Sequence, residues 1–160
     1  MMMAVRGFEP VERCKHLFEQ GQLKLPKRST ENSAGYDFYA FEDIKISPMS
    51  SSFSTNPVCI KTGVKAYMQD DECLQLYPRS SWPANLGLVL ANSVGIIDSD
   101  YYSNENNDGE IGFLVYNLSF RTIRIHAGDK LGQGVFTKYL KIDNDDAEGD
   151  RIGGFGSTGL

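Results

Sequence analysis

Asp98 follows the apolar run Val94-Gly95-Ile96-Ile97 directly. A β-branched run flanked by Asn and Asp reads as a buried strand or a hairpin arm, so a carboxylate at its end is desolvated on one side. Such a group either caps a turn or sits at a rigid site ready to accept a proton. Four other segments carry groups that could serve beside it. In AGYDFYA, Asp37 stands between two aromatics, where a turn cap is one reading and a buried functional acid the other. In YPRSSW, Arg79 is set beside the hydroxyls of Ser80 and Ser81 just after a strand, an arrangement that suits a phosphate as well as an ordinary surface loop. In HAGDKLGQGVF, Gln133 projects from an apolar strand between Gly132 and Gly134, which suggests a close backbone approach. The tail RIGGFGSTGL combines four glycines with Arg151, Phe155, Ser157 and Thr158. Glycine-rich backbone can wrap a phosphate through its N–H groups, and a disordered terminus is the ordinary alternative.

The elements that must position these groups are mostly strands. Residues 10–20 place Val11, Cys14, Leu17 and Phe18 on one face between Pro10 and Gly21, which predicts one short helix. From Leu23 onward the pattern becomes extended: DIKIS, VCIKTGVKAYM, CLQLYP, LGLVLANSVGIID, IGFLVYNLS, RTIRIH and LGQGVFTKYLKI, broken by Gly, Pro, Asn and Asp. Regular short strands of this kind predict an all-β barrel or sandwich. Residues 47–57 read as a solvated serine-rich loop, 104–109 as a polar hairpin tip, and 143–149 as an acidic linker to the glycine-rich tail.

With 160 residues, 41% of them hydrophobic, the chain has the size of one domain with a sizeable core. A formal net charge of -5 and a pI of about 5.0 exclude a general affinity for nucleic acid or anionic membrane, so any phosphate must be met locally. Cys14, Cys59 and Cys73 are odd in number and widely spaced, which fits reduced thiols and no protein-held metal. No stretch has the apolar core of a secretory signal or the length of a membrane span, so a cytoplasmic protein is expected.

Taken in order, AGYDF, PRSS, NSVGIIDSDYY, GDKLGQ and GGFGSTG resemble the five motifs of the trimeric dUTPases of bacterial or phage type, over a stretch from about Leu25 to the end. The resemblance implies an antiparallel, jelly-roll-like β-barrel that assembles as a homotrimer. Residues 1–142 would form the β domain, with a short extension within 1–24, and 143–160 an acidic linker and a flexible lid arm. The implied reaction is dUTP and water giving dUMP and pyrophosphate, with Mg²⁺ carried on the triphosphate, which limits uracil incorporation into DNA. By the same resemblance Asp98 is the base that activates the attacking water, and Asn92 belongs to the same hairpin. Tyr101 lies under the deoxyribose and excludes a 2′-hydroxyl. Arg79, Ser80, Ser81 and Gln133 meet the phosphates, with Ser80 at the bridge that breaks. Asp37 organises the subunit contact and the metal's water shell. Arg151, Phe155, Gly156, Ser157 and Thr158 form the lid, with Phe155 over uracil.

The chain departs from the family pattern in three places. Ser81 stands where Gly is usual, the polar insertion SNENNDGEI follows Tyr102, and Arg151 lies four residues before Phe155 rather than five. A dCTP deaminase of similar fold would need a Glu where this chain has Leu114. A regulatory relative of the same fold, binding another protein through the insertion, is the remaining alternative.

Overall fold

Leu74 and Leu76 alternate with more polar neighbours along CLQLYP, the run that leads into the PRSS loop, and the structure buries both. The computed structural model describes residues 3–51 and 56–151. Their strands are β1 (Gly7–Pro10), β2 (Tyr36–Tyr39), β3 (Ile44–Ile46), β4 (Val58–Lys61), β5 (Val64–Tyr67), β6 (Glu72–Pro78), β7 (Leu88–Leu90), β8 (Gly95–Asp98), β9 (Gly112–Asn117), β10 (Ile123–Ile125) and β11 (Lys130–Lys138). Two short helices interrupt them, α1 (Lys15–Glu19) and α2 (Trp82–Leu86). The strands run antiparallel in the order β2-β11-β6-β8 in one sheet and β4-β9-β7 in another, with the pairs β1-β5 and β3-β10 beside them. The predicted all-β, jelly-roll-like barrel is what forms.

The two larger sheets meet through aromatic and branched side chains. Phe38 of β2 and Phe113 of β9 approach with ring centroids 5.8 Å apart, and Leu74, Leu76, Leu88, Ile97 and Leu131 fill the space around them. Each such side chain contributes roughly 1.5–3 kcal/mol by leaving water. Gly132 and Gly134 of β11 are explained here: an added Cβ would collide with the Tyr77 carbonyl at the first position and lie 2.7 Å from the Phe38 ring at the second. The close backbone approach predicted around Gln133 is therefore to the protein's own β6 and core.

Several local expectations change. The single helix expected over 10–20 is divided, because Pro10 completes the pairing of β1 with Val64 and the Val11 N–H donates to the Gly63 carbonyl (2.9 Å). Only then does the chain turn, through a 3-10 turn at Glu12–Cys14 into α1. Val11 and Cys14 are buried as predicted, whereas Phe18 is exposed. Helix α2 was not anticipated, although Pro83 opens it and Gly87, at φ +67, closes it. The arms of the ANSVGIID segment do not pair with each other: β7 joins β9 and β8 joins β6, so the segment is a crossing between sheets rather than a hairpin.

The polar insertion is also not a solvated tip. Asn104 and Gly109 are buried, and the loop is tied to the N-terminal segment by Asp108, which accepts hydrogen bonds from the Glu12 N–H (2.7 Å) and Lys65 Nζ (2.8 Å). Residues 139–150 lie exposed, as expected of a linker. Part of the serine-rich loop, residues 52–55, and the tail from 152 to 160 fall outside the described residues. The predicted positions Phe155, Gly156, Ser157 and Thr158 lie there too.

Candidate active site

Strand β11 carries the first group of predicted residues into one place. Gln133 is the register partner of Asp37 on one side and Tyr77 on the other, and the Arg79 N–H donates to the Leu131 carbonyl (3.1 Å), so Arg79 continues the line of β6 past Pro78. The result is an open cleft of about 420 Å³ lined by Asp37, Arg79, Ser80, Ser81, Lys130 and Gln133. Arg79, Ser80 and Gln133 present exposed side chains to it. Ser81 has φ -80 and ψ -13 at the start of α2, an ordinary conformation in which serine replaces glycine without strain.

The acid in this cleft is not a turn cap. Asp37 Oδ2 accepts from Lys130 Nζ at 2.7 Å and also from the Ser29 hydroxyl. Burial pushes the Asp37 carboxyl up, but the bonds from Lys130 and Ser29 and the charges of Lys130 and Arg79 outweigh it and hold it below the usual range. Lys130 and Ser29 were not singled out from the sequence. The signal for Lys130 was its place two residues before Gly132 in the GDKLGQ motif; nothing marked Ser29. Cations and hydroxyl donors surrounding one carboxylate make a setting suited to a polyanion and its counter-ion.

The second group lies elsewhere. Asp98 ends β8 opposite Cys73 at the far end of β6, and its carboxylate is about half exposed. Arg151 reaches it with one guanidinium nitrogen, donates from Nε to Asp100 Oδ1 at 2.7 Å, and lies over the Tyr101 ring with 5.9 Å from Cζ to the ring centroid. Asp100 is thus a residue of this group that sequence reasoning missed. Tyr101 is buried, and burial pushes its hydroxyl pKa up, so it serves as a neutral donor: it gives a hydrogen bond to the Glu110 carbonyl (2.9 Å) and accepts one from Asn107 Nδ2 (2.7 Å). Asn92 joins neither group, being exposed in the crossing between β7 and β8.

The separation of the two groups follows from the register. Cys73 faces Asp98, and Arg79 lies six residues further along the same extended line. At about 3.3 Å per residue that is roughly 20 Å, well beyond the reach of two side chains.

Among the described residues, no cluster of three or more His, Cys, Asp or Glu could enclose a metal ion. The cleft's single carboxylate fits an ion held mainly by phosphate oxygens and water, as Mg²⁺ commonly is.

Comparison with known proteins gives the family and the fold. Residues 22–159 match the dUTPase family model. A deoxyuridine 5'-triphosphate nucleotidohydrolase of Lactococcus lactis subsp. lactis (strain IL1403) is 44% identical over 159 residues, which is 98% of this chain and 99% of the relative. The crystal structure of a dUTPase from Streptococcus mutans matches with a TM-score of 0.74 and 42% identity, over 86% of this chain and 99% of that one. A mutant dUTPase from phage phi11 of S. aureus, described with a structural Mg(II) ion, shares the fold at 19% identity and a TM-score of 0.66, over 91% and 98% of the two chains. Matched in sequence and fold over nearly its whole length, the chain belongs to the dUTPase family and is a dUTP diphosphatase, converting dUTP to dUMP and pyrophosphate.

Proposed function

We propose that each dUTP is hydrolysed between two copies of the chain, one presenting the Arg79–Ser81 cleft and the other Asp98. The observation that carries this is the roughly 20 Å between Arg79 and Asp98 along β6, several times the length of a phosphate bridge. Two different patches that must face each other make a head-to-tail contact, and such contacts give a ring where the rotation between copies closes. A homotrimer with three equivalent sites is the arrangement proposed.

In such a site Asp98 takes a proton from water as the water oxygen bonds to the α-phosphorus, and the bridge to the β-phosphorus breaks. Pyrophosphate leaves with the electron pair of that bridge. Arg79, Ser80, Ser81 and Gln133 bind the phosphate oxygens and steady the charge that builds there, with Ser80 facing the bridge. Asn92 helps to hold the base, and Tyr101 lies under the deoxyribose. Asp37 orders water around Mg²⁺ carried by the triphosphate; the ion supplies charge neutralisation on the phosphates. Arg151, Phe155, Gly156, Ser157 and Thr158 close the site as a lid, which makes 143–160 a functional arm on a β domain spanning 1–142. A cytoplasmic nucleotide pool supplies the substrate.

Deamination of dCTP is the weaker reading, since Leu114 on β9, paired with Cys59, offers no proton shuttle. Subunit complementation tests the shared site. Arg79→Ala and Asp98→Asn proteins are each expected to be nearly inactive, and unfolding and refolding them together should restore about a quarter of the sites, the fraction expected of random mixing in rings. No recovery in refolded mixed trimers would place both groups in one chain's site and overturn the reading.

A further inference from the structure

The insertion after Tyr102 grips Tyr101 at both ends. Asn107 Nδ2 donates to the Tyr101 hydroxyl at 2.7 Å, and Asn104 Nδ2 donates to the Tyr101 main-chain carbonyl at 2.9 Å. The two amides are locked to each other, because Asn104 Nδ2 also donates to Asn107 Oδ1 (2.7 Å), and Asn104 Oδ1 accepts from the Asn106 and Asn107 N–H groups (3.1 and 3.2 Å). Gly109, whose N–H donates to Asn107 Oδ1, has φ +75, and a Cβ there would lie 2.7 Å from both Tyr101 O and Ser103 N. Only glycine lets the loop close this tightly.

The loop is in turn anchored to the barrel. Lys65 Nζ, on β5, is buried between Ser103 Oγ and Asp108 Oδ1, both at 2.8 Å, and lies 4.9 Å from the centroid of the Tyr102 ring. The Tyr102 hydroxyl donates to Glu9 Oε2 (2.7 Å) on β1, and the Glu12 N–H donates to Asp108 Oδ2. A solvated loop would not direct so many polar groups inward, since ordering each side chain costs entropy that only fixed geometry offsets.

We propose that Asn107 is a positioning residue for sugar selection: through the Tyr101 hydroxyl it fixes the ring plane against which a 2′-hydroxyl is rejected. The inference rests on the reading of Tyr101 as the platform under the deoxyribose. A ring whose hydroxyl keeps only its bond to the Glu110 carbonyl can swing about that one contact and admit the extra oxygen, whereas a hydroxyl held from two directions, by Glu110 and by Asn107, cannot. The N-terminal segment, through Glu9 and Glu12, is the outer support of the same brace.

The test is the ratio of kcat/KM for dUTP to that for UTP, measured by pyrophosphate release below the melting range of each variant. General weakening of the fold lowers both values and leaves their ratio unmoved. Tyr101→Ala should collapse the ratio. Asn107→Ala should lower it by about tenfold, the scale of one buried hydrogen bond, chiefly by raising activity on UTP. Tyr101→Phe, which keeps the ring and removes its hydroxyl's bonds to both Asn107 and the Glu110 carbonyl, should give at least as large a loss, and adding Asn107→Ala to it should change the ratio no further. Asn107→Asp, which keeps the oxygen that accepts from Asn104 and Gly109 and removes the donor to the Tyr101 hydroxyl, carries the test should Asn107→Ala not fold. An unchanged ratio in Tyr101→Ala would overturn the platform reading and the inference with it. A collapsed ratio in Tyr101→Ala together with a wild-type ratio in Asn107→Ala would overturn the inference alone, whatever Tyr101→Phe shows.

Discussion

Lys130 Nζ lies 2.7 Å from Asp37 Oδ2, joining the start of β11 to the neighbouring strand β2 inside the cleft that also holds Arg79 and Gln133. The pair, with Ser29, holds the Asp37 carboxyl below its ordinary value despite its burial. A carboxyl depressed in the folded state adds stability that is complete above the unfolded value, near 3.9, and is lost as pH falls through the folded one. Asp37→Asn should therefore melt about 2–4 °C lower than wild type at pH 7, with the gap closing below about pH 4. A gap that stays constant from pH 7 to pH 3 would mean that the ion pair contributes no proton-linked stability.

Asp98→Asn keeps the size of the side chain and removes its basicity. Turnover of dUTP should fall by at least about 10²-fold while binding of a non-hydrolysable analogue stays near wild type. Equal loss in binding and in turnover would assign Asp98 to substrate anchoring.

Ser81 stands where the resemblance leads one to expect glycine, yet its φ of -80 needs none of glycine's freedom, and its side chain makes no helix-capping bond. Ser81→Gly should alter stability by only a few tenths of a kcal/mol. Any change in KM for dUTP should then report the hydroxyl's contact with phosphate, and a melting shift of more than a few degrees would show that the loop depends on serine for its shape.

Much of this was visible in the chain itself, and the rest was hidden for identifiable reasons. Local pattern located the strands that bear Asp98 and Gln133 and the one that ends just before Arg79, because alternation and turn residues act over a few positions. Pairing partners are not local. Nothing in VGIID reveals that Ile97 faces Leu74 rather than β7, so the expected hairpin proved to be a crossing, and the distance between Asp98 and Arg79 could not be read. Polar letters misled in SNENNDGEI, since Asn104 and Asp108 look solvated until Lys65 and Tyr101 are found beside them. The helix expected across 10–20 failed for a similar reason: strand pairing of Pro10 with Val64 outweighed local propensity.

The last prediction separates Arg151 from the rest of the tail. Its guanidinium bridges Asp98 and Asp100, and a planar fork makes two such contacts where an ammonium makes one-point contacts. Arg151→Lys should therefore recover little of the turnover lost in Arg151→Gln. Removing residues 152–160 spares this bridge, whereas removing 150–160 deletes it. Both truncated proteins should fold and assemble, because residues 139–150 are exposed and the buried core is built without them. Both should lose most of their kcat, since a lid that excludes water strengthens every electrostatic contact in the site. Phe155→Ala should show a milder defect, in line with roughly 1–3 kcal/mol for an aromatic stacked on a base. Trp82, buried beside Ser81, supplies the reporter: its fluorescence should respond to a non-hydrolysable dUTP analogue in the full chain and less in the shorter ones. Full turnover in the protein lacking 152–160, with loss only when Arg151 is also removed, would assign the tail's whole contribution to that one guanidinium and remove Phe155, Ser157 and Thr158 from the mechanism.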